Sequence, residues 1–277
     1  MTFALRPGPL IMGILNVTPD SFSDGGRHMA RDAAVGRALE MLREGADIID
    51  VGGESTRPGA EPVSVREQQR RVVDVIKSIR DITIDAPPIL SIDTTSDQVA
   101  EAALDAGANW INDTSAGRDS PGMLALAAER GTPLVLMHRQ GMPRTMQQAP
   151  SYRDVVAEVR EFLMERAAAA MAAGVAADHI LIDPGIGFGK RRAHNLALLA
   201  GLGELVDLGY PVLLGASRKR FMGALCDETD PLRLVHATTA TTALGIAAGA
   251  RVFRVHDVAA NRQAADVAYA ITAVPCS

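Results

Sequence analysis

One pattern recurs along the 277 residues: an amphipathic segment, then a glycine, then a short apolar run rich in β-branched residues. Glycine commonly follows a helix end because it adopts the left-handed conformation without a steric penalty. Short and nearly continuous apolar runs are typical of strands buried on both faces of a parallel sheet. The pattern therefore predicts helices alternating with parallel strands. The glycines of these units are Gly45, Gly107, Gly131, Gly209 and Gly249.

Eight such runs predict eight strands, which favours a closed (β/α)8 TIM barrel with its active site at the C-terminal ends of the strands. An open doubly wound sheet is the alternative. No stretch rich in Pro, Gly or Ser marks a linker, so residues 1–277 are predicted to form a single domain. The predicted strands are Leu10–Leu15, Asp47–Gly52, Ile89–Asp93, Asn109–Asp113, Leu134–His138, Ile180–Asp183, Val212–Ser217 and Arg251–His256.

Composition excludes several function classes. The formal net charge is −5, whereas a general nucleic-acid binder needs a basic surface. No apolar run is long enough to cross a bilayer, and the first residues do not resemble a secretory signal. The two cysteines, Cys226 and Cys276, have no metal-binding or redox spacing. We therefore expect a soluble, cytoplasmic protein that binds neither nucleic acid nor membrane.

Polar residues end nearly every predicted strand, at the edge where a barrel builds its active site. A single case is more often a helix cap or a turn residue, and Ser96 and Asp119 are predicted to begin helices in that way. So many cases together predict an active site at the barrel mouth. The residues are Asn16, Asp93, Asn112, Asp113, His138, Asp183, Ser217, Arg254 and His256.

The two-residue period of a strand sorts these side chains by face. Arg254 and His256 should share a face, and Asp257 should lie on the other. Asn112 should share a face with Trp110, so Asn112 and Asp113 cannot both point into the barrel.

Three loops that follow predicted strands have the composition of ligand-binding loops. Residues 16–26 and 52–59 are rich in glycine, hydroxyl groups and charge, as mobile loops over a barrel mouth are. Gly185–Lys190 superficially matches a nucleotide loop, but Arg191 stands where a phosphate-binding loop needs Ser or Thr. We interpret it as the turn after the sixth strand.

At these positions the sequence resembles the dihydropteroate synthase family from the first predicted strand to the last. The resemblance implies a transferase of folate synthesis that joins 6-hydroxymethyl-7,8-dihydropterin diphosphate to 4-aminobenzoate and releases pyrophosphate. It also implies a homodimer and competition by sulfonamides. The matching segments are residues 12–26, 49–59, 91–94, 111–113, 136–138, 183–190, 217–219 and 254–258.

The family's site residues carry over to matching positions in this chain. The catalytic set implied is Asn16, Asp183, Lys219, Arg254 and His256, with Mg2+ as the cofactor held by Asn16. The resemblance assigns the pterin to Asp93, Asn112, Met137, Asp183 and Lys219. It assigns the diphosphate to Asn16, Thr56, Arg254 and His256. It assigns 4-aminobenzoate to Phe22, Arg57, Pro58, Phe188 and Ser217.

The sequence leaves three alternatives open. A pterin-binding methyltransferase domain on the same barrel would not need the diphosphate residues, which are present here. A non-catalytic pterin-binding paralogue should have lost a catalytic position, and none is missing. An unrelated barrel aldolase would use Lys219 to form a Schiff base. Two departures from the family are Thr114, where an aliphatic residue is common, and the weakly matching segment Asp227–Ala250, which we predict to form the seventh helix.

Overall fold

The structure is a computed structural model that describes residues 5–17, 26–54, 63–83, 87–142 and 145–274, without the side chains of residues 26–28. Eight strands form one sheet in the order β6-β5-β4-β3-β2-β1-β8-β7, and each neighbouring pair is parallel. A parallel bridge between Ile182 and Val212 joins the two edges. The predicted (β/α)8 barrel is therefore confirmed.

The strands lie close to their predicted positions, with one exception. They are β1 Leu10–Asn16, β2 Ile48–Gly52, β3 Ile89–Asp93, β4 Trp110–Asp113, β5 Leu134–Met137, β6 Ile180–Asp183, β7 Leu213–Leu214 and β8 Val252–Val255. The seventh strand was predicted to reach Ser217, but β7 ends at Leu214. Gly215 to Lys219 instead form a loop at the mouth, so Ser217 and Lys219 are loop residues.

Helices cover the outside of the sheet. They are α1 Gly26–Arg43, α2 Val65–Ile82, α3 Asp97–Asp105, α4 Met123–Arg130, α5 Val155–Ala172, α6 Arg192–Ala200, α7 Leu202–Val206, α8 Arg220–Cys226, α9 Val235–Ala247 and α10 Val258–Thr272. The segment Asp227–Ala250 is only partly the predicted helix, because α9 begins at Val235 after a short 3-10 turn at Pro231–Arg233. None of the described helices combines the length and apolarity needed to cross a membrane.

One of the two predicted helix caps is correct. Ser96 caps α3, where its hydroxyl accepts a hydrogen bond from the backbone N–H of Val99 at 3.4 Å. Asp119 does not begin a helix, because α4 starts at Met123 and the carboxylate of Asp119 instead pairs with Arg139.

The barrel interior is apolar at the N-terminal ends of the strands. A cluster of buried side chains fills this lower half, and each member sits on an inward-facing strand position. On several of these strands the inward position two residues further along is polar: Asp50 follows Ile48, Asn112 follows Trp110, and Arg254 follows Val252. The lower cluster consists of Leu10, Met12, Ile48, Trp110, Val135, Leu181, Leu213 and Val252.

Candidate active site

A salt-bridge network crosses the barrel mouth from β8 to β2 and β3. The guanidinium of Arg254 donates from Nε to Asp50 Oδ2 at 2.6 Å and from Nη2 to Asp93 Oδ2 at 2.6 Å. Burial alone lowers the pKa of Arg254, but the charges of Asp50 and Asp93 outweigh it and raise that pKa. Arg254 therefore remains a permanent cation, shared by two buried carboxylates.

The two carboxylates of this network retain unused acceptor atoms. Within the described part of the chain, Oδ1 of Asp50 and Oδ1 of Asp93 are buried and have no hydrogen-bond partner. Buried polar atoms in native proteins are nearly always paired, so unpaired acceptors at a barrel mouth indicate a place for a ligand that donates N–H or O–H. Burial, aided by the charges of Asp50 and Asp113, raises the pKa of Asp93 to about 7 although Arg254 lowers it.

Asp50 is a site residue that the sequence reasoning missed. Its Oδ2 accepts a hydrogen bond from Asn112 Nδ2 at 3.0 Å as well as the bond from Arg254. Asp50 thus joins two of the predicted site residues and is itself fully buried. The signal for it was a lone charge inside an apolar strand, between Ile49 and Val51, because such a charge needs a partner in the barrel interior.

A second carboxylate stands at the end of β6. Asp183 is 4% exposed, and its Oδ1 accepts a hydrogen bond from the backbone N–H of Gly185 at 2.7 Å. Burial raises the pKa of Asp183 to about 6, against the lowering effects of that hydrogen bond and of the charges of Lys219, Lys190 and Arg254. The carboxylate is therefore ionised at neutral pH but titrates close to it.

Lys219 faces this second carboxylate from the loop after β7. Burial and the charge of Arg254 lower the pKa of Lys219 to about 8, although Asp183 and Asp93 raise it. Its Nζ lies 4.1 Å from the ring centroid of Phe188, in cation–π contact. The predicted pterin residue Lys219 and the predicted aminobenzoate residue Phe188 are thus neighbours.

Two residue pairs join the loop after β7 to the residues that follow β8. Ser217 Oγ lies 3.0 Å from His256 Nδ1 and accepts from the backbone N–H of His256 at 3.2 Å. Arg218, which has a left-handed φ of 56°, pairs with Asp257 through Nε–Oδ2 at 3.0 Å and Nη2–Oδ1 at 2.5 Å. Left-handed backbone costs a non-glycine residue about 1–2 kcal/mol. We infer that this ion pair holds the strained loop that carries Ser217 and Lys219.

Asn16 lies beside the salt-bridge network at the end of β1. A Cβ placed on Gly52 would lie 3.8 Å from Asn16 Oδ1 and 3.7 Å from Asp93 Oδ2, so glycine at this position keeps space between the two oxygen-bearing side chains. Met137, at the end of β5, is buried at 2% exposure. Among the described residues, no group of three or more His, Cys, Asp or Glu side chains is arranged to hold a metal.

Two strand-end residues do not join this group. Asp113 points the other way, as the two-residue period required, and accepts from the backbone N–H groups of Ser115 and Gly117. His138 instead contacts the ammonium of Lys190. Four predicted site residues, Phe22, Thr56, Arg57 and Pro58, lie outside the described residues.

Comparison with known proteins identifies the family. Residues 12–256 match the pterin-binding enzyme family model. The dihydropteroate synthase of Synechocystis is 46% identical over 261 residues, which are 94% of this chain and 89% of the relative. Among the similar solved structures, the Xanthomonas albilineans dihydropteroate synthase with 4-aminobenzoic acid has a TM-score of 0.90 and 49% identity, covering 97% of this chain and 95% of that one.

Two further solved complexes are similar over nearly the whole chain. The Xanthomonas albilineans enzyme in complex with 7,8-dihydropteroate has a TM-score of 0.87 and 46% identity, covering 98% of this chain and 97% of that one. The Yersinia pestis enzyme in a sulfonamide drug complex has a TM-score of 0.90 and 41% identity, covering 99% and 100%. By family match, sequence identity and fold, this chain belongs to the dihydropteroate synthase family of pterin-binding enzymes.

Proposed function

We propose that this chain condenses 6-hydroxymethyl-7,8-dihydropterin diphosphate with 4-aminobenzoate to give 7,8-dihydropteroate and pyrophosphate. The observation that carries the proposal is the pair of buried carboxylates, Asp93 and Asp183, in one mouth with Asn112, Lys219 and Arg254. Relatives of the same family bind 4-aminobenzoic acid and 7,8-dihydropteroate. This supports the same substrates for the present chain.

The pterin ring suits the two carboxylates. One edge of a pterin presents an exocyclic amine beside a ring N–H, and a single carboxylate can accept from both. We assign that edge to Asp183 and assign ring oxygen or nitrogen atoms to Lys219, which is a donor only. Asp93 Oδ1 accepts a further ring N–H, and Asn112 lies beside it. Met137 packs against the ring.

The diphosphate is the leaving group and needs positive charge where its bond to the methylene carbon breaks. We assign this role to Arg254 and His256, which lie two residues apart at the end of β8, with Thr56 as a further contact. The diphosphate then competes with Asp93 for the guanidinium of Arg254. That exchange would free Asp93 Oδ2 as a second acceptor beside Oδ1, which has no partner among the described residues, so the two halves of the substrate support each other.

Magnesium fits this place through oxygen donors. Mg2+ typically keeps several waters and binds one or two protein oxygens together with substrate phosphate. Asn16 Oδ1 and the Asp93 carboxylate both border the space kept open by Gly52. We propose that Asn16 holds Mg2+ against the diphosphate. The ion, when bound, supplies positive charge to the leaving group.

The aryl amine attacks the methylene carbon after the diphosphate begins to leave. As the C–O bond breaks, the pterin methylene gains carbocation character; the amine nitrogen then forms the C–N bond and loses a proton. We place 4-aminobenzoate near Ser217 and Phe188, with Phe22, Arg57 and Pro58 completing its site. A sulfonamide resembles this substrate and should compete for the same place, as the Yersinia pestis drug complex supports.

Pyrophosphate release tests this function directly. The release should require both 4-aminobenzoate and Mg2+, yield 7,8-dihydropteroate, and vanish in Asp183→Ala. Tight pterin binding without any release would instead favour a non-catalytic paralogue or a methyltransferase domain. Trapping of Lys219 by borohydride in the presence of a carbonyl substrate would favour an aldolase.

We also propose a homodimer in the cytoplasm. Large apolar side chains are exposed on the adjacent helices α9 and α10, including Leu244 at 71%, Val267 at 62% and Ile271 at 68%. A second copy of the chain would cover them. Leu244→Lys should shift the sedimentation coefficient towards the monomer, whereas Leu196→Lys on α6 should not. A reducing compartment suits the exposed free thiol of Cys226.

A further inference from the structure

The turn between β6 and α6 encloses a buried ammonium group. Lys190 is 3% exposed. Its Nζ lies 2.8 Å from His138 Nδ1, 3.0 Å from the carbonyl oxygen of Gly185 and 3.1 Å from that of Phe188, with the His138 carbonyl oxygen at 3.4 Å. An ammonium has three donors, so these contacts use its full capacity. Lys190 therefore ties two carbonyl groups of the turn to the end of β5.

The charge states suit this arrangement. Burial and the charges of Lys190 and Arg118 lower the pKa of His138 to about 2, so the imidazole is neutral and Nδ1 can accept from the ammonium. Burial also lowers the pKa of Lys190 to about 7, although Asp183 raises it, so at neutral pH the ammonium is in equilibrium with the neutral amine, which still has two N–H donors. Burying an ammonium among mainly neutral acceptors costs free energy, and an apolar side chain of the same size would fill the same space without that cost.

The turn itself needs this close approach to β5. Gly185 and Gly189 have left-handed φ angles of 64° and 62°. A Cβ on Gly185 would collide with the carbonyl oxygen of His138, and one on Gly189 would collide with that of Gln140. The backbone of the turn thus packs directly on residues 138–140, and glycine is required at both contacts.

The same turn places groups of the active site. The N–H of Gly185 holds Asp183 Oδ1 at 2.7 Å, and the ring of Phe188 lies against Lys219. A Cβ on Gly187 would lie 3.0 Å from Lys219 Cδ, so the turn also packs against the stem of that lysine. A shift of the turn would therefore move the carboxylate of Asp183, the ring of Phe188 and the ammonium of Lys219 together.

We propose that Lys190 is a positioning residue, which fixes the Gly185–Gly189 turn against the end of β5 and so sets the geometry of Asp183 and Phe188. It acts through the turn, because its hydrogen bonds go to His138, Gly185 and Phe188. The proposal rests on the proposed function, in which Asp183 binds the pterin and Phe188 borders 4-aminobenzoate. Its partner is His138, the residue directly after β5.

Lys190→Met tests the proposal, with Lys77→Met as the matched control on an exposed face of α2. Lys190→Met leaves buried acceptors unpaired, so KM for the pterin diphosphate and for 4-aminobenzoate should each rise about tenfold or more, with kcat per active site changing less. Hydrogen exchange of residues 185–189 should accelerate while that of β2 and β3 does not change. A lower melting temperature with both KM values unchanged would show a merely structural role and overturn the proposal.

Two variants at His138 decide whether the turn is positioned by the hydrogen-bond acceptor Nδ1 or by packing of the imidazole ring. They do so even if Lys190→Met fails to fold. Asn places an oxygen near the position of Nδ1, whereas Phe keeps the ring contact with Phe162, now at 4.8 Å between centroids, but removes the acceptor. For both substrates, His138→Asn should keep KM within about threefold of the wild-type value, whereas His138→Phe should raise KM further. The opposite order would overturn the proposal.

Failure of the proposed function has a different signature. A wild-type protein that makes no dihydropteroate would remove the substrate assignments. The exchange rates of residues 185–189 in Lys190→Met and in the two His138 variants need no turnover. Faster exchange in Lys190→Met and His138→Phe but not in His138→Asn would still support the positioning of the turn, and unchanged exchange in all three would overturn it.

Discussion

At the N-terminal ends of the strands the barrel interior is filled by apolar side chains, whereas at the C-terminal ends several of the same strands present polar or charged side chains. On β6, Leu181 lies in the apolar cluster and Asp183 lies at the mouth. On β8, Val252 and Arg254 show the same change over two residues. One strand thus serves both halves: its lower inward position packs in the apolar cluster, and its upper one places a buried charged group at the mouth, where we propose that ligand binds.

Arg254→Ala should give the largest effect. It removes the cation that we assign to the leaving group, which should lower kcat/KM about 100- to 1000-fold. It also leaves Asp50 and Asp93 buried without a counter-charge, which should lower the free energy of unfolding by about 3–5 kcal/mol. Steady-state kinetics and denaturant unfolding measure the two effects.

Arg251→Ala is the control for that variant. Arg251 precedes β8 at the N-terminal ends of the strands, where its guanidinium donates to the carbonyl oxygens of Arg6 and Gly8. Its loss should affect unfolding but not KM. If Arg254→Ala turned over the diphosphate substrate as fast as the wild type, the assigned role of the mouth cation would be wrong.

Asp50→Asn should give the next largest effect. The amide keeps the size of the side chain but removes the charge that Arg254 and Asn112 share, so both lose orientation. We expect kcat/KM to fall about 10- to 100-fold, in line with the loss of a buried charge-assisted hydrogen bond. A crystal structure of the variant with Arg254 in its original place and full activity would contradict this role.

The pH dependence should separate stability from binding. Burial raises the pKa of Asp183 to about 6 and that of Asp93 to about 7. The folded protein thus binds these protons more tightly than the unfolded chain, so their contribution to stability is complete below about pH 4 and is lost as the pH rises through 6 and 7.

Pterin binding should follow the opposite trend over that range. The carboxylates accept from the pterin only when ionised, so affinity should rise between about pH 5.5 and 7.5. It should fall again above the lowered pKa of Lys219, which is about 8. Calorimetric titration with a pterin from pH 5 to 9 measures this. An affinity that does not change with pH would contradict the assignment of Asp183 and Lys219 to the pterin.

Asp257→Asn should have the smallest effect of this series. Arg218 and Asp257 are partly exposed, at 22% and 20% of their side chains, so their ion pair is screened by solvent. The left-handed loop at Arg218 should relax and raise KM for 4-aminobenzoate by about three- to tenfold. Arg218→Gly in the Asp257→Asn background should restore part of the loss, because glycine adopts this φ without strain. No recovery would argue against strain as the cause.

The sequence pattern predicted the barrel and its strands because buried parallel strands and glycine-ended helices are local signals. The two-residue period of a strand correctly predicted that the side chains of Asn112 and Asp113 point to opposite faces. The predicted end of the seventh strand was wrong, since Gly215 to Lys219 form a loop whose contacts are with residues distant in the sequence, such as Asp183 and Arg254 beside Gly215. The prediction that Asp119 begins a helix was wrong, because its carboxylate pairs with Arg139 on the loop after β5.

Contacts between residues that are distant in the sequence were beyond the reach of local patterns. Asp50 was missed because its partners, Asn112 and Arg254, lie 62 and 204 residues away. The burial of Lys190 against His138 likewise depends on the way neighbouring loops meet at the mouth. Motif resemblance supplied the roles of individual residues, and these roles stay predictions until the variants are measured.

The most direct test compares the two halves on β6 in one experiment. Formation of 7,8-dihydropteroate and the free energy of unfolding should be measured for the wild type, Asp183→Asn and Leu181→Ala. Asp183→Asn should abolish most product formation without loss of stability, whereas Leu181→Ala should lose about 2–5 kcal/mol of stability and keep the wild-type KM in its folded fraction. Product formation by Asp183→Asn at the wild-type rate would contradict the assignment of the pterin site to this mouth.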